Sequence, residues 1–191
     1  MIIALVAVGY GYSDKINEVL RKLSNYKVCL LTDVIIDDVF YCEKYPNNRF
    51  SYFDKLYFSL QMVEKFKDDV FYIDINKIDE VDFNFNTDTQ FYFKSHWPYG
   101  DYFEDYFKYT NYFNPFIDYC NSVGIDYKRL PAIRETELFF GKDINTKSML
   151  RLLREIQPIF RKMCSEQTKY KGLDNGEGLA LSYALKKCDI L

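Results

Sequence analysis

Residues 55–82 read KLYFSLQMVEKFKDDVFYIDINKIDEVD. The first half carries apolar side chains at Leu56, Leu60, Val63 and Phe66, the spacing of a helix that buries one face. Lys67, Asp68 and Asp69 break that pattern, and a short apolar run over residues 70–73 follows. The run reads as a buried strand whose carboxyl end opens onto Asp74 and Asn76, and in open α/β sheets ligands bind at that end. On a strictly extended chain, residues two apart point the same way and lie about 6 to 7 Å apart along the strand. Two oxygens so placed are candidate ligands for a divalent cation, and through it for a diphosphate.

Upstream, residues 2–8 form a continuous apolar strand suited to burial between helical layers. Gly9 and Gly11 allow a tight path, and Ser13 can cap a helix with Ile16, Val19, Leu20 and Leu23 on its apolar face. Asn25 ends that helix, and residues 28–31 predict a second strand finishing in Thr32 and Asp33. Strand, helix, strand is the opening of a nucleotide-binding α/β domain. The sequence GYGYS lacks the third glycine of GxGxxG, which argues against dinucleotide binding. Turn residues over 45–48 follow an acidic, aromatic segment, with a short strand expected at 39–42 or around Phe50.

Downstream, residues 79–88 read as a polar connection, 90–94 as a strand and 95–100 as a loop. Asn111 can cap a helix bearing Phe113, Phe116, Ile117 and Cys120, which Gly124 ends. Residues 127–132 and 137–140 read as strand or extended segments. The longest helix starts at Asn145 or Thr146 and buries Met149, Leu152, Leu153, Ile156, Ile159, Phe160 and Met163, with Pro158 predicting a kink or an early finish. A flexible stretch over 165–175 leads to Gly176, Glu177 and Gly178 and a last helix. That helix pairs Leu179 with Tyr183 and Leu181 with Leu185, while Ser182 interrupts the stripe. With no internal repeat and no dividing linker, the expectation is a single α/β domain over residues 1–191. Its Rossmann-like, mostly parallel twisted sheet would carry helices on both faces.

A formal charge of −3 without a basic tail or Lys/Arg block argues against a nucleic-acid partner. No apolar run is long enough to span a bilayer, and the apolar start lacks a basic flank, so it reads as a strand. Cys29, Cys42, Cys120, Cys164 and Cys188 show no CxxC or metal-ligand spacing; an odd, scattered set predicts free thiols in a reducing, cytoplasmic setting. With 18 Tyr and 17 Phe, many between residues 91 and 119, the chain predicts an aromatic core and a partly wet aromatic surface, the alternative being a sugar- or base-stacking platform.

The succession MIIALVAVGYGYS, VCLLTD, DKLYFSLQMVEKFKDDVFYIDIN, PAIRETELFFGKD and GEGLALSYALKK resembles the landmarks of a small GT-A-type glycosyltransferase of the nucleotide-diphospho-sugar transferase superfamily. The resemblance implies a GT-A-like nucleotide-sugar-binding catalytic domain. It places the end of the first strand, at Val8 and Tyr10, by the nucleotide base, and the end of the second, at Thr32 and Asp33, by base or ribose. The family's DxD motif holds Mn2+ or Mg2+ against the donor diphosphate; here it reads Asp74-Ile75-Asn76. An Asn carbonyl ligates a hard cation without negative charge, so this variant binds metal less strongly than two carboxylates would. The implied partners are a UDP- or GDP-linked sugar donor and a glycan or glycoprotein acceptor. As 191 residues are few for such an enzyme, the expectation is either a shallow acceptor pocket or one that another domain or chain, such as a second copy, completes.

The remaining candidates each carry a bland alternative. Lys55 or Arg49 could contact the phosphates, or be surface cations. Tyr10 could stack on the nucleobase, or shield the sheet edge. Glu177 is the first choice for a carboxylate that orients or deprotonates the acceptor hydroxyl, since its glycine neighbours place it off the core at a helix start, where the resemblance also puts an acidic residue; a helix N-terminal Glu favoured by the dipole is its alternative. Glu135 and Glu137 come next and share one face if extended. His96 and Trp97 could shape a sugar pocket, or be packed together; a lone His makes no zinc centre. The rival readings of the whole chain are a nucleotidyltransferase, disfavoured because residues 8–14 hold no Lys or Arg, and a noncatalytic carbohydrate- or partner-binding module.

Overall fold

The apolar run near the amino terminus becomes strand β1 (Ile2–Ala7), every residue of which is buried. The computed structural model describes residues 1–9, 12–46, 50–83, 87–94, 96–97, 113–166 and 176–191. The chain divides into two compact units. The first comprises Met1–Phe50, Tyr57–Lys94 and Thr136–Thr146; the second comprises Ser51–Leu56, Ser95–Glu135 and Lys147–Leu191.

In the first unit β1 is followed by helix α1 (Tyr12–Lys22), β2 (Lys27–Thr32), β3 (Tyr41–Lys44), most of helix α2 (Asp54–Phe66), β4 (Val70–Ile73), β5 (Phe91–Phe93) and a later strand (Glu137–Phe140) that joins the same sheet. The six strands run in the order β3-β2-β1-β4, then Glu137–Phe140, then β5. The first four are parallel, with Leu5 opposite Leu30 and Ala4 opposite Tyr72. The strand at Glu137–Phe140 is antiparallel to both neighbours, pairing Phe71 with Phe139 and Tyr92 with Phe139. The sheet is thus mixed and mostly parallel, a generic Rossmann-like arrangement. A strand buried on both sides reads the same in either direction, which is why periodicity did not reveal the reversal.

Alternation along the strands decides the core. Ile3, Leu5, Val28, Leu30, Phe71, Ile73 and Phe139 gather in one core cluster with Ile16 and Val19 of α1 and Leu23 just beyond its end, which continue one helical face at i, i+3, i+7. Burying each such side chain contributes roughly 1.5 to 3 kcal/mol before the entropy of ordering it. The alternate set, Ile2, Ala4, Cys29, Leu31, Val70 and Tyr72, is buried as well, and so are Leu60 and Val63 of α2. The progression of strands reverses at β1: β2 and β3 lie to one side, β4 to the other. That reversal puts a topological switch point at the carboxyl ends of β1 and β4.

The second unit contains β6 (His96–Trp97), helix α3 (Phe113–Ser122), β7 (Ala132–Ile133), helix α4 (Thr146–Glu166, but for its first residue) and helix α5 (Glu177–Lys187); the sheet strand Glu137–Phe140 is β8 in chain order. β6 and β7 pair antiparallel, so two residues expected in a loop are a strand, and the segment over 127–132 is a 3-10 turn (Tyr127–Arg129) before β7. Gly124, at φ 72°, ends α3 as expected, with the Ile125 amide returning to the Cys120 carbonyl at 2.9 Å. Phe53, Phe116 and Phe160 form the aromatic centre, Phe116 and Phe160 at 5.2 Å between ring centroids.

Two expectations fail informatively. α4 runs through Pro158, which is exposed, so the early finish expected there does not occur. α5 is buried on every side from Glu177 to Leu185 and presents no single apolar stripe. Ser182 does not interrupt its packing: the hydroxyl is fully buried and lies between the Pro131 and Gly178 carbonyls, which satisfies it. Among the described residues no helix is long and apolar enough to cross a membrane. Cys29, Cys42, Cys120 and Cys188 are free thiols. The Asn111 cap, the Ser13 side chain and residues 167–175 lie outside the described residues.

Candidate functional site

Two groups of polar residues qualify, one in each unit. The first sits at the carboxyl edge of the parallel strands. The chain leaves β4 at Asp74 and turns at once, the Lys77 amide bonding the Asp74 carbonyl at 2.8 Å. Asp74 Oδ1 accepts the Asn76 amide at 2.8 Å, closing an Asx turn. The extended path on which Asp74 and Asn76 would point the same way is therefore not the one taken. The cause is local: an Asp side chain that can cap its own backbone two residues on favours a turn over continued strand. Ile75 is buried within the turn, Asp74 is half-buried and Asn76 exposed.

Around this turn, Lys15 of α1 donates to Asn76 Oδ1 at 2.9 Å, and Asn76 Nδ2 donates to the Tyr12 hydroxyl at 3.4 Å. At the end of β2, Asp33 accepts the amide of Gly9, the residue whose φ of 108° turns the chain after β1. Thr32 is buried in the strand and Val8 is half-buried at the end of β1. Asp33 thus holds the β1 loop through one of its carboxylate oxygens. Lys15 escaped the sequence reading because it lies one residue beyond the 8–14 window searched for a basic phosphate contact. A lysine one turn into the helix after β1 was the available signal.

As a cation site the turn after β4 offers one carboxylate, Asp74, and one amide oxygen, Asn76 Oδ1, on which the Lys15 ammonium rests. Among the described residues no group of three or more His, Cys, Asp or Glu is assembled as metal ligands. The donor set suits a cation held by one carboxylate with phosphate oxygens and water completing its shell, the mode usual for Mg2+ on nucleotides.

The second group is built on helix starts. Ser51 and Asp54 form a reciprocal cap at the amino end of α2: the Ser51 hydroxyl accepts the Phe53 amide at 3.3 Å, and Asp54 accepts the Ser51 amide at 2.8 Å. That cap fixes Lys55, which is 7% exposed and points its ammonium at two carboxylates. Glu177 Oε1 lies 2.9 Å away and Glu135 Oε2 3.6 Å away. Glu177 is the first residue of α5, where the helix dipole favours a negative charge. Gly176 precedes it at φ 96°, and a Cβ there would stand 2.4 Å from the Phe160 ring. At Gly178 a Cβ would come within 2.0 Å of both Glu135 Oε1 and the Ile133 carbonyl. Both glycines are therefore steric requirements of the cluster, one for φ and one for space.

Two expectations are corrected here. Glu177 is 4% exposed and ion-paired, so its flanking glycines do not place it at the surface. Lys55 is not a surface cation: its ammonium faces carboxylates, because the pair can be buried only together. Burial raises the Glu135 carboxyl to about 8, the Glu177 charge adds to the rise and Lys55 opposes it. Glu177 Oε2 is buried and has no hydrogen-bond partner among the described residues. Glu137 does not share a face with Glu135: it opens β8 in the first unit, buried, and pairs with Lys94 at 2.8 Å. Tyr10 and Arg49 lie outside the described residues, as do the side chains of His96 and Trp97, whose backbones form β6. Comparison with family models and with curated proteins finds no match to this chain.

Proposed function

We propose that the chain is a glycosyltransferase that moves a sugar from a UDP- or GDP-linked donor to an acceptor hydroxyl of a glycan or glycoprotein. The observation that carries this reading is the polar edge at the switch point of the parallel strands. There the Gly9 amide is held by Asp33 at the ends of β1 and β2, and Lys15, Asn76 and Asp74 are linked at the end of β4, at the edge where open α/β sheets receive nucleotides. In the proposed role Asp74, with Asn76, would hold Mn2+ or Mg2+, whose charge neutralises the departing diphosphate. Lys15 is a second positive group at the same edge, suited to phosphate oxygens through electrostatics rather than proton transfer.

The test is a thermal-stabilisation screen of UDP, GDP, their sugar conjugates and nucleoside triphosphates, with and without Mn2+, followed by transfer assays with the donor that binds. The expected result is stabilisation by one diphosphate and its sugar conjugate, larger with Mn2+, since a ligand that binds only the folded chain raises its apparent stability. Stabilisation by triphosphates alone would replace the proposal with a nucleotidyltransferase. No nucleotide response, with sugars still bound, would leave a carbohydrate-binding module.

A further inference from the structure

In the second unit the carboxyl end of α5 and the turn after α3 line a cavity of about 440 Å3, a size in the range of small-molecule sites. It lies at the other end of α5 from Glu177. One wall begins at Gly124, whose φ of 72° turns the chain out of α3, and a Cβ built there would meet nothing within 4 Å. Ile125 and Leu130 are buried behind the same wall, and Pro131 and Leu191 are half-buried beside them. These four side chains give the cavity an apolar lining.

Its rim is charged. Asp126 caps the 3-10 turn, Oδ1 accepting the Lys128 amide at 3.1 Å, and Oδ2 faces Arg129 Nε at 3.3 Å. Both oxygens of Asp126 are thereby engaged, and the Arg129 fork is held by one edge with its terminal nitrogens as further donors. Lys186 is exposed on the last turn of α5, whereas Lys187 donates to the Val123 carbonyl at 3.2 Å. Along the two walls and their sequence neighbours, Lys128, Arg129, Lys186 and Lys187 stand against Asp126, Asp189 and the carboxylate of Leu191. The region is therefore positive in a chain whose formal charge is −3.

Lining and rim together select the occupant. A bare anion would leave the apolar wall in water, and a neutral apolar molecule would give Arg129 and Lys186 nothing to bind. A cation is opposed by the rim. A nucleobase or a sugar ring stacks on aromatic side chains, and none of the described residues that line the cavity is aromatic. An acid with an apolar body meets both demands. Its body gains by leaving water, and charge-assisted hydrogen bonds from Arg129 and Lys186 hold its acid group beside a wall of low dielectric.

We propose that this cavity binds a small apolar acid, with Arg129 and Lys186 holding the acid group and Ile125, Leu130, Pro131 and Leu191 facing the body. The site stands independently of the transferase proposal, since neither Asp74 nor Glu177 lines it.

The probe is anilinonaphthalene sulfonate, an apolar sulfonate whose fluorescence rises when it leaves water. Neutral N-phenylnaphthylamine and inorganic sulfate represent its two halves. One sulfonate per folded chain is expected, with amide NMR shifts at residues 124–131 and 186–191, and the neutral amine and sulfate should each bind about fivefold more weakly or worse. Arg129→Gln with Lys186→Gln should weaken the sulfonate by about tenfold or more and leave the neutral amine within about twofold. Asp126→Asn keeps the turn cap and removes the competing charge, so it should strengthen sulfonate binding by about twofold or more. All three substituted side chains are exposed, so the fold is retained in each variant. Equal sulfonate affinity in the wild type and the double variant, or shifts confined to other residues, would overturn the proposal. So would a neutral amine or a sulfate ion that binds as tightly as the sulfonate, and weaker binding in Asp126→Asn would remove Arg129 from the site. A chain that passes this test and fails the nucleotide screen keeps this site and loses the transferase proposal; the reverse outcome removes this site alone.

Discussion

The two polar groups use the same chemistry, lysine against acid or amide, in opposite surroundings. At the carboxyl edge of the parallel strands, Lys15 rests on Asn76 at an exposed turn, and each polar atom has water as an alternative partner. In the second unit Lys55 and Glu177 are buried, Glu177 at 4% exposed, and Glu135 beside them is half-buried. An exposed contact is weakly coupled to stability and free to exchange its partner for a ligand. A buried ionic cluster is strongly coupled to stability, and its protonation is set by its neighbours. The same residue types therefore couple weakly to folding in one place and strongly in the other.

The largest expected difference comes from removing each lysine. Lys55→Met leaves buried carboxylate charge without its ammonium and should destabilise the chain by about 3 to 5 kcal/mol at neutral pH. Lys15→Met should change stability by no more than about 0.5 kcal/mol. Urea denaturation of the two variants measures both, and equal losses would erase the contrast between the regions.

Glycine replacement gives the next largest effect. Gly178→Ala places a methyl 2.0 Å from a backbone carbonyl that cannot move alone, so a loss of about 3 kcal/mol is expected. Gly9→Ala meets nothing within 4 Å and has only its φ of 108° to oppose it, roughly 1 to 2 kcal/mol. A milder effect at Gly178 than at Gly9 would mean that Glu135 does not occupy the space beside α5.

A pH series sharpens the contrast further. Between the ordinary value of 4.5 and about 8, folded Glu135 holds a proton that the unfolded chain releases. Stability should therefore fall as pH rises through that window and level off above it, the reverse of an ordinary salt-bridged carboxylate. Glu135→Gln should flatten the fall, whereas Asp74→Asn should leave it in place. A wild-type stability that rises from pH 5 to 8 would show that Glu135 is ionised.

The smallest effect belongs to the exposed edge and is read in binding rather than folding. Under the transferase proposal, Asp74→Asn should weaken nucleotide binding in Mn2+ by about tenfold, near 1.4 kcal/mol, while Asn76→Asp should preserve or strengthen it. Calorimetry giving the same affinity for both variants and the wild type would detach the metal from this turn.

Much of the fold was legible because burial leaves a local period. The runs at residues 2–8 and 70–73 hold β1 and β4, and the spacing of Ile16, Val19 and Leu23 became the buried face of α1 and of the turn that follows it. Glu177 at a helix start and Asp74 at a strand end were also readable, since caps and termini are set by neighbouring residues. Only the tertiary structure decided the rest. It reversed β8 beside β4, which no one-dimensional pattern distinguishes, and it turned the chain at Asp74, where a side chain competed with the strand ladder. It buried Ser182 between two carbonyls, one of them 51 residues away in sequence. It also joined Lys55 to Glu177 across 122 residues. Pairings at such separations depend on packing between elements, so the surroundings that fix a side chain's burial, charge and partner are absent from the residues beside it.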